Sequence, residues 1–256
     1  MIQLHNFINE KLKIGTNTKI RKYSYFPKDK KELEEIVKQL IKERGNEANL
    51  NDIDTSKIDD MSWLFSYNNF GKFNGDISGW NVSNVEDMSY MFCQSEFNGN
   101  ISKWDVSSVK HMHHMFKKSI FNGDISQWDV SNVEDMNDMF FKCKSLDENF
   151  DISKWDVGKV ENMNCMFCDS TFDGNLSKWN VSNVESMMCM FIESVFNGDI
   201  SEWNVEKVKC MSSMFLGSEF DRKEDLEKWN VKSLTDMSDM FENCPLEKNP
   251  PSWYHE

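Results

Sequence analysis

The chain has 256 residues, with 29 Lys and Arg against 43 Asp and Glu, for a formal charge of −14. Residues 1–60 carry 12 basic and 11 acidic side chains and residues 61–256 carry 17 and 32, so the excess of about −15 lies in the second segment. That balance argues against a nucleic-acid binder, which needs a basic track to displace counterions. It also argues against attachment to an anionic membrane surface.

The first stretch, MIQLHNFINEKLKIG, has no charged n-region followed by an apolar run. The expectation is therefore no secretory signal and a cytoplasmic location. The alternative is a cell-surface or secreted protein exported by a non-classical route. No segment approaches the roughly 18–20 apolar residues of a membrane span, so no membrane insertion is expected. The densest apolar run is only Met187 to Ile192.

Residues 28–44 predict an amphipathic helix. Leu33, Ile36, Val37, Leu40 and Ile41 make one stripe, and Gly45 follows its end. Residues 1–49, including this helix, read as an N-terminal cap.

A repeat begins at residue 50. Trp80, Trp104, Trp128, Trp155, Trp179, Trp203 and Trp229 are spaced by 24, 24, 27, 24, 24 and 26 residues. A fixed period of this size means a repeat array. Relative to each Trp, an aliphatic stands three before, Val two after, Val or Leu five after, and Met eight after. Met-Phe then closes the unit, as in Met91-Phe92 and Met240-Phe241. Leu50, Ile53, Thr55, Ile58, Met61 and Phe65 match these offsets with Ile53 in the Trp place. The array is therefore eight units over residues 50–241, with a degenerate end unit. The spacings of 27 and 26 predict loops rather than broken repeats. Residues 242–256, with their prolines and the Trp253-Tyr254 pair, read as a C-terminal cap.

Within a unit, Trp and Val alternate with polar residues, which predicts a short strand. Val85, Met88, Met91 and Phe92 are spaced as one face of a short helix or 3-10 turn. Phe-Asn-Gly-Asp predicts a tight turn whose Gly takes positive φ. The expected fold class is an α/β repeat solenoid, a right-handed, leucine-rich-repeat-like coil of short parallel strands and short helices with an N-terminal capping helix.

The unit FNGDISxWxVSNVxxMxxMF resembles the leucine-rich-repeat-like units of the BspA family of surface proteins. The resemblance covers residues 50–241. It implies a right-handed solenoid and a protein-interaction role, often adhesion to host or bacterial surfaces, and it supplies no catalytic residues. That family's signal sequence and wall or lipid anchor are not expected here.

Other motifs give weaker signals. Trp104-Asp105, Trp128-Asp129 and Trp155-Asp156 suggest a WD propeller, but 24 residues cannot hold a four-stranded blade of about 40–45. Cys165-Met-Phe-Cys168 matches the redox pattern C-x-x-C, yet Met166 and Phe167 are core positions of the repeat. Cys165 and Cys189 occupy one repeat position a coil apart, within disulfide reach, and are expected reduced. Cys143, Cys165, Cys168 and Cys189 have zinc-ligand chemistry without a familiar spacing. His111, His113 and His114 read as a solvated surface cluster. The sequons at Asn81, Asn100, Asn175 and Asn180 follow from the repeat.

These readings leave a non-enzymatic protein-interaction scaffold, expected as a monomer with no cofactor, no metal and a protein partner. The expected binding face is the exposed column beside the tryptophans: Lys103, Asp105, Gln127, Asp129, Lys154, Asp156, Lys178, Asn180, Glu202 and Lys228. A structural spacer, or a cysteine-dependent redox or metal-binding protein, is the alternative.

Overall fold

The computed structural model describes residues 23–255. The N-terminal stretch read for a leader, and the part of the cap before residue 23, lie outside the described residues.

Helix α1 runs from Lys30 to Arg44. Asp29 caps it by accepting the Glu32 N–H at 2.9 Å, and Gly45 ends it at φ 86° with its N–H on the Ile41 carbonyl. Leu33, Val37 and Leu40 are fully buried against the first coil. Lys30 reaches Asp60 and Ser62, and Arg44 makes a forked pair with Asp52, so both ends of the helix are tied to that coil.

After α1 the chain winds in coils that stack through single-residue parallel bridges, one position recurring in every coil. The series runs Asp60, Asp87, His111, Asp135, Asn162, Ser186, Cys210 and Asp236. The only other helix among the described residues is the four-residue α2, Lys223–Leu226.

The expected α/β solenoid of parallel strands and short helices is therefore wrong, and with it the leucine-rich-repeat description. The described residues hold isolated bridges and no sheet, and apart from the single turn of α2 in the lengthened last unit no helix lies in the repeats. The bridge also falls seven residues after the Trp, not on the Trp-Val segment expected to be a strand.

The physical reason lies in the turns. Trp80 N–H bonds the Ile77 carbonyl, Val85 the Val82 carbonyl, Met91 the Met88 carbonyl and Ser95 the Phe92 carbonyl. Each pair is three residues apart, so consecutive reverse turns generate the apolar spacing of 3 that mimics a helix face. Helix propagation is blocked because the third residue of the last two turns is left-handed: Tyr90 at φ 59° and Gln94 at φ 52°. The corners are closed by Asx turns. The Asp76, Asn81 and Asp87 side chains each accept the N–H of the serine two residues on, Ser78, Ser83 and Ser89. The sequons are simply such corners.

Coils are joined by two backbone ladders of opposite sense. The N–H groups of Met88, Tyr90, Phe92 and Gln94 donate forward to the carbonyls of His111, His113, Met115 and Lys117. One position before the bridge, Lys110 N–H donates back to Glu86 and Glu134 N–H back to Lys110.

The core is a set of side-chain columns. Phe65, Phe92, Phe116, Phe140, Phe167, Phe191, Phe215 and Phe241 stack at centroid spacings between 5.6 and 5.9 Å. Each indole N–H reaches back one coil, as from Trp128 to the Ile101 carbonyl at 3.2 Å. Trp253, assigned above to the terminal cap, continues this column. Its N–H bonds Leu226 at 2.7 Å and its ring stacks 6.4 Å from Trp229.

The glycine of Phe-Asn-Gly-Asp does not take positive φ. At Gly123 a Cβ would lie 2.7 Å from the Phe121 ring, which folds back over the glycine. Close approach of the ring, rather than a left-handed turn, excludes a side chain there.

Candidate binding surfaces

The ten residues beside the tryptophans are all exposed. Their carboxylates and amides are partly used within their own coils. Asp105 accepts from Ser107, Asp129 from Ser131, Asp156 from Gly158 and Asn180 from Ser182, each from the backbone N–H. The ladder thus bonds backbone inside each coil rather than between coils. At Asp129 the Ser131 hydroxyl and N–H hold the carboxyl below the usual carboxylate range. Lys154, Asp156, Lys178 and Asn180 border a shallow depression around Trp155.

A second surface was not anticipated. Between the fixed Met and Met-Phe positions lies the left-handed residue of each coil: Trp63, Tyr90, His114, Asp138, Cys165, Cys189, Ser213 and Asp239. The core columns on either side repeat one residue type, whereas this one changes chemistry at almost every step. A companion column changes likewise: Gln94, Lys118, Lys142, Asp169, Glu193, Gly217 and Asn243, all at positive φ. The signal was in the sequence: positions left free by the repeat, flanked by positions it fixes.

Neighbours in this column touch. Trp63 stacks on Tyr90 at 3.8 Å with planes 8° apart, and Tyr90 stacks on His114 at 4.2 Å. His114 Nε2 is 3.3 Å from Asp138, which also takes the Lys117 ammonium at 2.8 Å. Lys117 in turn lies over the Phe141 ring at 4.5 Å. Lys142 and Lys144 pair with Asp169. Among the described exposed large apolar residues, Trp63, Tyr67, Ile120, Met188 and Val195 lie on or beside this turn face.

His114 is not a solvated side chain. Burial pushes His114 down to about 4, against the pull of Asp138. Its Nδ1 is buried with no hydrogen-bond partner. His113 instead faces Ser89 at 3.0 Å and Asp135 at 3.7 Å. Among the described residues no group of three or more His, Cys, Asp or Glu side chains is arranged to hold a metal ion.

The cysteines are all free thiols. Cys165 and Cys189 lie close enough for each to act on the other's titration. Burial pushes Cys165 and Cys168 up to about 12. A C-x-x-C redox motif needs the opposite, a thiol whose pKa is depressed toward neutrality.

Stacked turn coils with an invariant interior and a variable turn face define a tandem-repeat array protein. The chain belongs to the family described as "Mycoplasma protein of unknown function, DUF285", whose model matches residues 31–151 and 144–253. No curated protein and no solved structure matches the chain. No helix among the described residues is long and apolar enough to cross a membrane.

Proposed function

We propose that this protein is a non-enzymatic interaction scaffold that binds a protein partner through its turn face. The observation that carries this reading is the change of side-chain chemistry from coil to coil along the left-handed columns, where exposed Trp63 and Tyr67 lie beside Tyr90. Repeat arrays bind along extended surfaces whose side chains differ from unit to unit. Aromatic side chains are the anchors such interfaces favour. The raised thiol pKa values weigh against the redox alternative. The likeness of the repeat to BspA-family units supports a host or bacterial surface protein as the partner.

The lysine column beside the tryptophans is the competing face, and one experiment separates the two. A partner is isolated from the native setting, and its affinity is measured for two variants. The triple variant Trp63→Ala, Lys118→Ala, Lys142→Ala is expected to lose binding. Lys103→Ala, Lys154→Ala, Lys178→Ala should retain it. The reverse result assigns the lysine column as the site, and unchanged affinity in both overturns the reading of either face.

A further inference from the structure

We propose that the C-terminal end of the array binds a coil segment of another repeat-bearing polypeptide, one with lysine or histidine at its turn positions. This site lies at the end of the array, where Asp239 and Asn243 are the last members of the left-handed columns. Its chemistry is read from the coil-to-coil interfaces inside the molecule.

Every inner coil sends a row of alternate N–H groups to the carbonyls of the next. In the last unit the same donors belong to Met237, Asp239, Phe241 and Asn243. None has an acceptor among the described residues. Three of them, Met237, Asp239 and Asn243, lie in residues that are exposed or half-exposed. Unpaired main-chain donors in such a row are a template for another chain.

The apolar surface agrees. Val205, Val208 and Met211 are 1%, 0% and 0% exposed because the following coil covers them. Val231, Leu234 and Met237, one coil on, are only partly buried. The C-terminal residues cover another part of this end: Trp253 lies on Trp229, and Tyr254 meets Phe241 edge-on at 5.0 Å. Thr235, Asp236, Met237, Ser238, Asp239 and His255 line the open remainder.

Charge selects the occupant. Asp236, Asp239 and Glu242 are exposed and make no ion pair among the described residues. Inside the array such pairs form from both sides: Asp138, at the repeat position of Asp239, is met by His114 and Lys117 of the preceding coil, and Glu86 by Lys110 of the following one, the side from which an occupant of this end approaches. A second copy of this chain does not fit end to end. Its first coil is covered by α1, whose Leu33, Val37 and Leu40 are fully buried. Two C-terminal ends would set donors against donors.

The probe is the peptide of residues 106–119, VSSVKHMHHMFKKS, blocked at both ends and fluorescently labelled. In the array, its His111, His113, Met115 and Lys117 carbonyls accept the same type of donor row, and it contains no cysteine. Anisotropy titration against the full chain at low salt should give saturable binding of one peptide per chain. Amide exchange should slow at Met237, Asp239 and Asn243. Met237→Glu, or Asp236→Lys with Asp239→Lys, should weaken binding about tenfold or more. Near-UV circular dichroism checks that each variant keeps its fold, and the charge pair, being exposed, serves if Met237→Glu does not. Lack of saturation, protection at α1 instead, or undiminished binding by a folded variant overturns the proposal. So does equal binding of a peptide with Val109, Met112, Met115 and Phe116 replaced by Asn, since charge alone would then suffice.

Discussion

Replacing Trp128 by Phe tests whether the indole column ties coil to coil. The Trp128 N–H bonds the Ile101 carbonyl at 3.2 Å, and that carbonyl also accepts the Trp104 N–H at 3.1 Å. Losing the indole therefore does not strand the carbonyl. The hydrogen-bond loss stays near about 1 kcal/mol rather than the larger penalty of an orphaned group. The smaller ring gives up on the order of 50 Å² of buried apolar area, about 1.3 kcal/mol, with a residual cavity adding to it. The expected cost is about 2–3 kcal/mol. With an m-value of about 3 kcal/mol/M, the urea midpoint falls by somewhat under ~1 M. Trp253→Phe removes an equivalent bond, to Leu226 at 2.7 Å, at a half-buried site and should cost about half as much. Urea unfolding followed by near-UV circular dichroism measures both. A Trp128→Phe midpoint equal to that of the parent, or of Trp253→Phe, would refute the coupling role of the indole.

Gly217 occupies a left-handed column position at φ 64°, so Gly217→Ala should cost about 1 kcal/mol of stability in the same urea assay. The Glu193 carboxylate 2.6 Å from the added Cβ can swing aside and should contribute little. His114 is held neutral, with a pKa of about 4 in the folded state against 6.5 for an ordinary histidine. The unfolded chain therefore binds the proton more readily, and stability should fall as pH drops from about 6.5 toward 4. His114→Asn should flatten that limb of a midpoint-versus-pH curve; an unchanged slope would place the protonation elsewhere. Diamide should couple Cys165 to Cys189, taking two electrons from the thiols and being reduced to its hydrazine. Peptide mapping would detect the crosslink and two fewer titratable thiols; its failure to form would contradict the adjacency of these two positions.

The sequence made the interior legible and the backbone illegible, for one reason. Position in the coil decides burial, so Ile53, Trp80 and Met88 announced themselves by offset alone, and all three are buried. Spacing does not decide conformation. A residue every third position fits both a helix face and a chain of three-residue turns, and the difference rests on Tyr90 and Gln94 being left-handed. Neither is a glycine, so no propensity rule marks them. Fourteen non-glycine residues among those described are held in this way. Each carries a strain of about 1–2 kcal/mol that only the surrounding structure can offset. The turn face went unread for a related reason. Lys103 and Asp105 drew attention by their charge, whereas charge at the Trp-flanking position is largely solvated and the aspartate closes its own corner.

The same ladders that impose the strain also explain why the turn face can vary. Tyr90, His114 and Asp138 differ in size, charge and hydrogen-bonding capacity, yet their backbones share φ values of 59°, 60° and 56°. The common cause is the donor each sends to the next coil, to His113, Asn137 and Asn164. Main-chain bonds specify that geometry, so the side chain carries no duty in holding it. In a strand-built coil the facing side chains pack against neighbours on the pleated surface and share in specifying the pairing. Here the side chain at the left-handed position projects from a turn whose shape is already set. Substitution at that position therefore changes the chemistry of the surface with little change to the coil beneath it. That separation of fold from surface is what a binding array requires, and in this chain it follows from building each coil of turns.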